Sequence, residues 1–97
     1  MNSLDKPAAR ELFRALLGLE TPEECDRFLT DLCTPSELTD LAERWKVVKL
    51  LDQDLAYREI HEKTGVSTAT ITRVARAYQY GAGGYRLMLD RMKGMKK

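Results

Sequence analysis

The stretch that decides the fold is "HEKTGVSTATITRVARAYQYGAGG", residues 61–84. Gly65 stands between two helical segments, where a residue in the left-handed conformation reverses the chain at low cost. Ser67 follows it and can cap the next helix with its hydroxyl group. Four apolar side chains are spaced to hold the two helices at a fixed angle: Ile60, Val66, Ile71 and Val74. The pattern predicts a helix-turn-helix over about residues 56–78.

The second helix of this pair, from Thr68 to about Tyr78, has two different faces at 100° per residue. The inward face is apolar and consists of Ile71, Val74, Ala75 and Tyr78. The outward face is small, hydroxylic and cationic and consists of Ala69, Thr72, Arg73 and Arg76. Short side chains let a helix approach base edges, a threonine can bond a base or contact a thymine methyl, and arginines reach phosphates or guanine.

The outward face therefore indicates DNA binding in a major groove. The alternative is an amphipathic helix pair whose polar face only meets water. Residues 64–80 contain neither Glu nor Lys, which an ordinary solvated helix prefers, and this favours DNA.

The rest of the chain is also predicted to be helical, and no strand pattern occurs. "TPEE" at Thr21 and "TPSE" at Thr34 are capping boxes with Pro at the first helical position. The predicted helices run from near Leu4 to Gly18, Pro22 to about Leu32, Pro35 to about Leu51, Tyr57 to Lys63, Thr68 to about Tyr78, and Tyr85 to Met92. We expect one all-α domain of about six short helices over residues 1–97, with a mobile tail from Lys93.

The charge of the chain is unevenly distributed. The net charge of +1 combines −5 over residues 1–42 with +6 over residues 43–97. A basic half with hydroxyl groups on a helix is where a phosphate backbone is expected to bind. The first residues lack the pattern of a secretory signal and the apolar runs are too short for a bilayer, so we expect a cytoplasmic protein that contacts no membrane.

Metal binding and catalysis find little support in the sequence. Cys25, Cys33 and the only histidine, His61, are too few and too far apart for a metal site, so we expect two reduced, partly buried thiols. Glu59 and Glu62 are interpreted as surface charges, because no nucleophile stands at a recognisable spacing from them or from His61. We expect no cofactor and no enzyme activity.

Trp45 lies on the apolar stripe of the long helix and is interpreted as core or dimer interface.

Two segments, "CTPSELTDLAERWKVVKLL" and "YREIHEKTGVSTATITRVARA", together resemble the bacterial tryptophan repressor superfamily. The resemblance covers about residues 30–92 and is sharpest from Ala69 to Arg73. It implies an all-helical, intertwined homodimer whose helix-turn-helix units read the two halves of a palindromic operator. It also implies DNA contacts from both helices of the motif: Tyr57, Arg58 and His61 from the first, and Thr68, Ala69 and Thr72 from the second.

The same resemblance implies an effector pocket. In the family the corepressor's indole lies between two arginines, whose counterparts here are Arg44 and Arg73, and Thr34 also matches a pocket residue. The family's glycine after the second arginine is Val74 here, and the serine that meets the ligand's amino group is Ala77. Both changes act against tryptophan. We therefore expect DNA binding without a ligand, or a different, small anionic effector held by the two arginines.

The sequence as a whole predicts a sequence-specific, DNA-binding transcriptional regulator that binds as a homodimer and represses by occluding its operator. The alternative is a helical protein-interaction module that has kept the fold and lost DNA binding. The operator, the regulated genes and the effector are not encoded in any recognisable pattern.

Overall fold

The computed structural model describes residues 5–95, and this part of the chain is helical with no strand. Its helices are α1 Lys6–Leu17, α2 Pro22–Leu32, α3 Pro35–Asp52, α4 Tyr57–Thr64, α5 Thr68–Tyr80 and α6 Gly84–Met95. The all-α prediction is confirmed. The chain divides into two compact units, Met1–Leu38 and Thr39–Lys97. That the whole chain acts as one domain stays a prediction.

None of the described helices combines the length and the hydropathy that a membrane span needs.

The helices of the first unit begin at side-chain caps. The Asp5 carboxylate accepts a hydrogen bond from the backbone N–H of Ala8 at 3.1 Å and starts α1. The Thr21 hydroxyl accepts from the N–H of Glu24 at 3.1 Å and starts α2. The predicted box at Thr21 is only half formed, because the Glu24 carboxylate accepts from the N–H of Glu20, at 2.8 Å, instead of from Thr21.

The capping box at the start of α3 is complete, as its sequence predicts. The Thr34 hydroxyl accepts from the N–H of Glu37 at 3.1 Å, and the Glu37 carboxylate accepts from the N–H of Thr34 at 2.8 Å. Two backbone donors that the helix leaves without a partner are thereby satisfied. Such a cap stabilises a helix by about 1 kcal/mol.

No residue of α1 or α2 is buried, although both helices are amphipathic. Large apolar side chains of these helices are exposed, among them Phe13, Leu17 at 85% and Leu32. Helices of this length are marginal in water unless an apolar face is packed against another surface. The apolar faces of α1 and α2 therefore need to pack against another apolar surface for these helices to be stable.

The core of the second unit joins the end of α3 to the helix-turn-helix. Its buried residues are Val47 and Val48 of α3, Ile60 of α4, Val66 of the turn, Ile71 and Val74 of α5, and Leu89 of α6. The four residues predicted to fix the angle between α4 and α5 are all in this core. Trp45 packs against the core as one of the interpretations expected, and its ring stacks on Tyr85 with centroids 6.5 Å apart. On α3 itself Leu41 is exposed, whereas Val47 is fully buried.

The end of α3 is a tight reversal built on Asp54. This residue has a left-handed backbone with φ of 64°. The N–H groups of Asp54 and Leu55 turn back to the carbonyls of Leu51 and Leu50 at 3.0 and 3.3 Å. Aspartate tolerates this conformation better than most residues with a Cβ. The reversal separates α3 from α4 by only four residues.

Helix α5 also has a sharp end, at Gly81. A Cβ on Gly81 would lie 2.4 Å from the carbonyl oxygen of Ala77, so only glycine fits there. The next helix continues to Met95. The predicted mobile tail was therefore wrong for residues 93–95, because helix α6 extends through them and Lys93 forms an ion pair with Asp52. Lys96 and Lys97, the rest of that predicted tail, lie outside the described residues.

The left-handed turn residue gives a test of the fold. Gly65 has φ of 74°, and a Cβ built there meets nothing within 4 Å, so Gly65→Ala probes backbone conformation alone. We expect it to lower the free energy of unfolding by about 1–2 kcal/mol in urea titration. The control is Gly94→Ala in α6, where a Cβ also meets nothing, and it should raise stability by up to about 1 kcal/mol. Equal effects of the two substitutions would contradict the left-handed assignment.

Candidate nucleic-acid interface

The turn between α4 and α5 is closed by hydrogen bonds that leave little freedom in the angle between the helices. The N–H of Gly65 donates to the carbonyl of His61 at 2.8 Å. The Thr64 hydroxyl donates to the carbonyl of Ile60 at 2.7 Å and accepts from the N–H of Val66 at 3.0 Å. Thr64 thus ties the last turn of α4 to the residue that enters the core.

His61 takes part in the same turn. Its Nδ1 lies 2.7 Å from the carbonyl oxygen of Val66. A carbonyl oxygen only accepts, so Nδ1 carries the proton of this bond. The side chain is otherwise exposed. The sequence gave no sign of this bond, because its partner is a backbone carbonyl five residues away.

Helix α5 begins at Ser67, as predicted. The Ser67 hydroxyl accepts from the N–H of Thr70 at 3.2 Å and donates to the Thr70 hydroxyl at 3.1 Å. The first turn of α5 contains no acidic residue. The positive end of the helix dipole and a set of hydroxyl groups therefore meet at one exposed corner, which favours an anion.

All seven side chains predicted to contact DNA lie on exposed surface of α4 and α5: Tyr57, Arg58, His61, Thr68, Ala69, Thr72 and Arg76. On α4, Arg58 and His61 are three residues apart, which brings them to one side of the helix. On α5, Ile71, Val74 and Ala75 are buried on the opposite side from Thr72 and Arg76. The arrangement presents a small, polar, cationic surface on a rigid support. Contact with DNA stays a prediction for each of the seven.

A polar cluster that the sequence did not reveal holds the other end of α5. The Tyr78 hydroxyl donates to Oδ1 of Asp52 at 2.7 Å, and Lys93 Nζ lies 2.8 Å from Oδ2 of the same carboxylate. The Arg86 guanidinium stacks over the Tyr78 ring at 4.3 Å. Asp52 thus joins α3 to α5 and α6. The available signal was Tyr78 itself, since a tyrosine on an inward face needs a partner for its hydroxyl.

The charge states in this cluster support one another. The Lys93 ammonium and then the Tyr78 hydroxyl bond the carboxylate and hold the pKa of Asp52 below its ordinary value of 3.8. The hydrogen bond to Asp52 raises the pKa of Tyr78, and the same carboxylate raises the pKa of Lys93. Asp52 is therefore ionised and Lys93 charged at neutral pH.

The residues predicted for an effector pocket have different surroundings. Arg44 is half-buried on α3, Arg73 and Ala77 are exposed on α5, and Val74 is buried in the core. Thr34 is engaged as the cap of α3. Ala77 lines a shallow, open depression with Ala82, Gly84 and Tyr85. An effector at these residues stays a prediction.

The two thiols and the side chains that could bind a metal have the following surroundings. Cys25 and Cys33 are free and half-buried, as expected. Across residues 5–95 no group of three or more His, Cys, Asp or Glu side chains is arranged to hold a metal ion.

Comparison with known proteins identifies relatives over most of the chain. The family model of the Trp repressor protein matches residues 8–93. The chain is 44% identical over 93 residues to the uncharacterized protein YerC of Bacillus subtilis, which covers 93% of this chain and 89% of YerC. It is 40% identical over 70 residues to a Trp operon repressor homolog of Chlamydia trachomatis, which covers 67% and 74% of the two chains. The solved structure of a TrpR like protein from Eubacterium eligens is 40% identical, covers 97% of both chains and superposes with a TM-score of 0.88.

The Asp52 cluster predicts a pH-dependent stability. A lowered carboxyl pKa stabilises the fold above 3.8, and this stabilisation is lost as pH falls from 3.8 through the folded pKa. We expect Asp52→Asn to lower the melting temperature at pH 6, and the difference from the unmodified chain to shrink between pH 4 and pH 2. Asp54→Asn, at an exposed carboxylate two residues away, should leave the melting temperature at pH 6 nearly unchanged. A difference that stays constant into the acid range would refute the role given to Asp52.

Proposed function

This chain belongs to the Trp repressor family, and from that premise we propose that it is a sequence-specific DNA-binding regulator. It binds a palindromic operator as a homodimer in the cytoplasm and represses transcription by occluding that operator. The observation that carries the proposal is the exposed outer face of α5, supported from behind by a core that fixes the helix against α4.

The outer face of α5 supports direct readout of bases. Thr68, Ala69 and Thr72 are small enough to let the helix backbone approach the floor of a major groove. Threonine offers a donor, an acceptor and a methyl group, which suits contact with thymine or with a base edge. Arg76 lies one turn after Thr72 and reaches toward a phosphate or a guanine. No negative charge on α5 opposes the DNA.

Helix α4 supports contacts to the phosphate backbone. In a helix-turn-helix the first helix crosses the backbone beside the groove that the second one enters. Tyr57 and Arg58 are exposed in its first turn, and His61 is exposed in its last. A hydroxyl, a guanidinium and an imidazole are groups that bond phosphate oxygens. We assign these three residues to positioning the protein on DNA.

Exposed apolar surface supports a homodimer. No residue of α1 or α2 is fully buried, and α6 exposes Leu87, Met88 and Met92. A domain of this length buries only a modest fraction of its surface, so association is a common source of its stability. A second copy presents the same faces and supplies the cover, and its symmetry matches a palindromic site.

Tryptophan is not the effector in this proposal. The Val74 side chain is 1% exposed and fills core space beside α4, where the family has a glycine. Ala77 offers no hydroxyl to a ligand's amino group, and an unpaired buried ammonium costs about 1–3 kcal/mol. Binding of DNA without a ligand, or with a small anionic effector bound by Arg44 and Arg73, fits these residues.

The proposal is tested by separating specificity from general affinity. After selection of bound sites from a random DNA pool, we expect Thr72→Leu to abolish preference for the selected site with helicity intact. Arg58→Ala should weaken binding to all sequences alike and reduce the salt dependence by about one counterion per protomer. Thr39→Leu and Arg91→Ala, at exposed positions outside α4 and α5, are the matched controls.

Two results would contradict this assignment. Unchanged sequence preference in Thr72→Leu would show that α5 is not the reading helix. Failure to select any site, together with binding to a protein that barely responds to salt, would favour a helical protein-interaction module.

The homodimer is tested by its dependence on concentration. If α1 and α2 are covered by a second copy, unfolding and dissociation are coupled, and the melting temperature should rise with protein concentration. Leu17→Glu places a charge on the exposed apolar surface of α1 and should weaken association. Glu11→Lys, at an exposed polar position of the same helix, is the control. A monomeric mass in solution, together with a melting temperature that does not change with protein concentration, would contradict the homodimer.

A further inference from the structure

We infer that His61 bonds a DNA phosphate only in its protonated form, so that DNA binding by this chain takes up a proton at His61. The inference rests on the proposed DNA-binding function. It is carried by the geometry of the turn, which fixes the tautomer of the ring.

The neutral form of His61 cannot donate to DNA. Its Nδ1 donates to the carbonyl of Val66 at 2.7 Å and is committed to that bond. A neutral imidazole has a single N–H, so Nε2 then carries a lone pair and only accepts. Phosphate oxygens also only accept. A neutral His61 therefore presents a lone pair to the phosphate, whereas the imidazolium presents an N–H and a positive charge.

The position of His61 places this group on the side of α4 that we assign to the phosphate backbone. His61 lies three residues after Arg58 and four after Tyr57, which brings the three side chains to one side of the helix. It also lies in the last turn of α4, where the helix dipole favours a cation. Its side chain therefore lies on the same side of α4 as the Arg58 guanidinium.

Among the described residues, none places a carboxylate beside the His61 ring. The charged groups of α4 are Arg58, Glu59, Glu62 and Lys63, those of α5 are Arg73 and Arg76, and the turn between the helices has none. At 100° per residue, Glu62 and Glu59 lie about 100° and 160° around the helix from His61. Within residues 5–95 no carboxylate oxygen lies within 4.0 Å of the His61 ring. A DNA phosphate can therefore supply an anion that these residues do not.

Proton uptake on binding predicts the direction in which DNA affinity changes with pH. Binding that takes up protons strengthens as pH falls, by up to tenfold per pH unit for each proton bound. Histidine changes charge between pH 5 and 8, and His61 is the only histidine of the chain. The bond from Nδ1 to Val66 is present in both charge states. The proton therefore alters the DNA contact and leaves the turn in place.

The test measures DNA affinity by fluorescence anisotropy at pH 8, 7 and 6 with constant ionic strength, on an operator selected from a random pool. We expect the unmodified chain to bind about tenfold or more tightly at pH 6 than at pH 8. His61→Lys carries a permanent charge and should bind tightly with a flat profile. His61→Asn keeps an amide N–H that can replace Nδ1 as donor to Val66, and it should bind weakly with a flat profile and an unchanged circular dichroism spectrum.

Each other outcome would overturn the inference. A flat profile for the unmodified chain excludes proton uptake. Weaker binding at low pH shows that protonation opposes the contact with DNA. Independently of DNA, ¹⁵N NMR of the free protein at pH 8 should show the Nδ1–H tautomer of His61, and the Nε2–H tautomer would refute the premise. Absence of DNA binding by every variant at every pH refutes the proposed function as well, and is thereby distinguished from a flat profile.

Discussion

The left-handed turn at Gly65 is the constraint on which the proposed recognition surface depends. Only three residues separate α4 from α5, and one of them, Val66, is buried in the core. Within these three residues the turn therefore has to reverse the chain and place the Val66 side chain in the core. Bonds from Thr64 and His61 satisfy the polar groups that this geometry exposes. The direction of α5, and hence everything its outer face can reach, follows from this short segment.

Helix α5 needs this support because its own sequence is a poor helix former. β-Branched residues occupy five of its first seven positions: Thr68, Thr70, Ile71, Thr72 and Val74. Such residues each cost several tenths of a kcal/mol relative to alanine. A helix rich in them is stable only when it is held from outside. The turn holds its beginning, and the bond from Tyr78 to Asp52 holds its end.

The sequence predicted the local features well. Gly65, Ser67 and the apolar residues of the helix-turn-helix have their expected roles because each acts within a few positions of itself. The TPSE box at Thr34 formed for the same reason. Contacts between distant positions were missed: Asp52 with Tyr78 and Lys93 spans up to 41 residues, and nothing local marks a carboxylate at a helix end as a bridge. The sequence also ended α6 at Met92, whereas the helix continues to Met95.

The proposed recognition surface contains residues with different structural roles. Thr68, Ala69 and Thr72 are exposed, and the α5 core beneath them is formed by other residues, so under the proposed function a new operator preference can arise there without refolding. His61 differs, since one ring nitrogen is bonded into the turn and the other is free at the surface. A substitution there removes the imidazole from the proposed DNA contact, and the turn keeps its bond where the new side chain can donate to the Val66 carbonyl, as in His61→Asn. Under the proposed function, a proton on Nε2 changes the contact with DNA, while the bond from Nδ1 to the Val66 carbonyl keeps the turn in place.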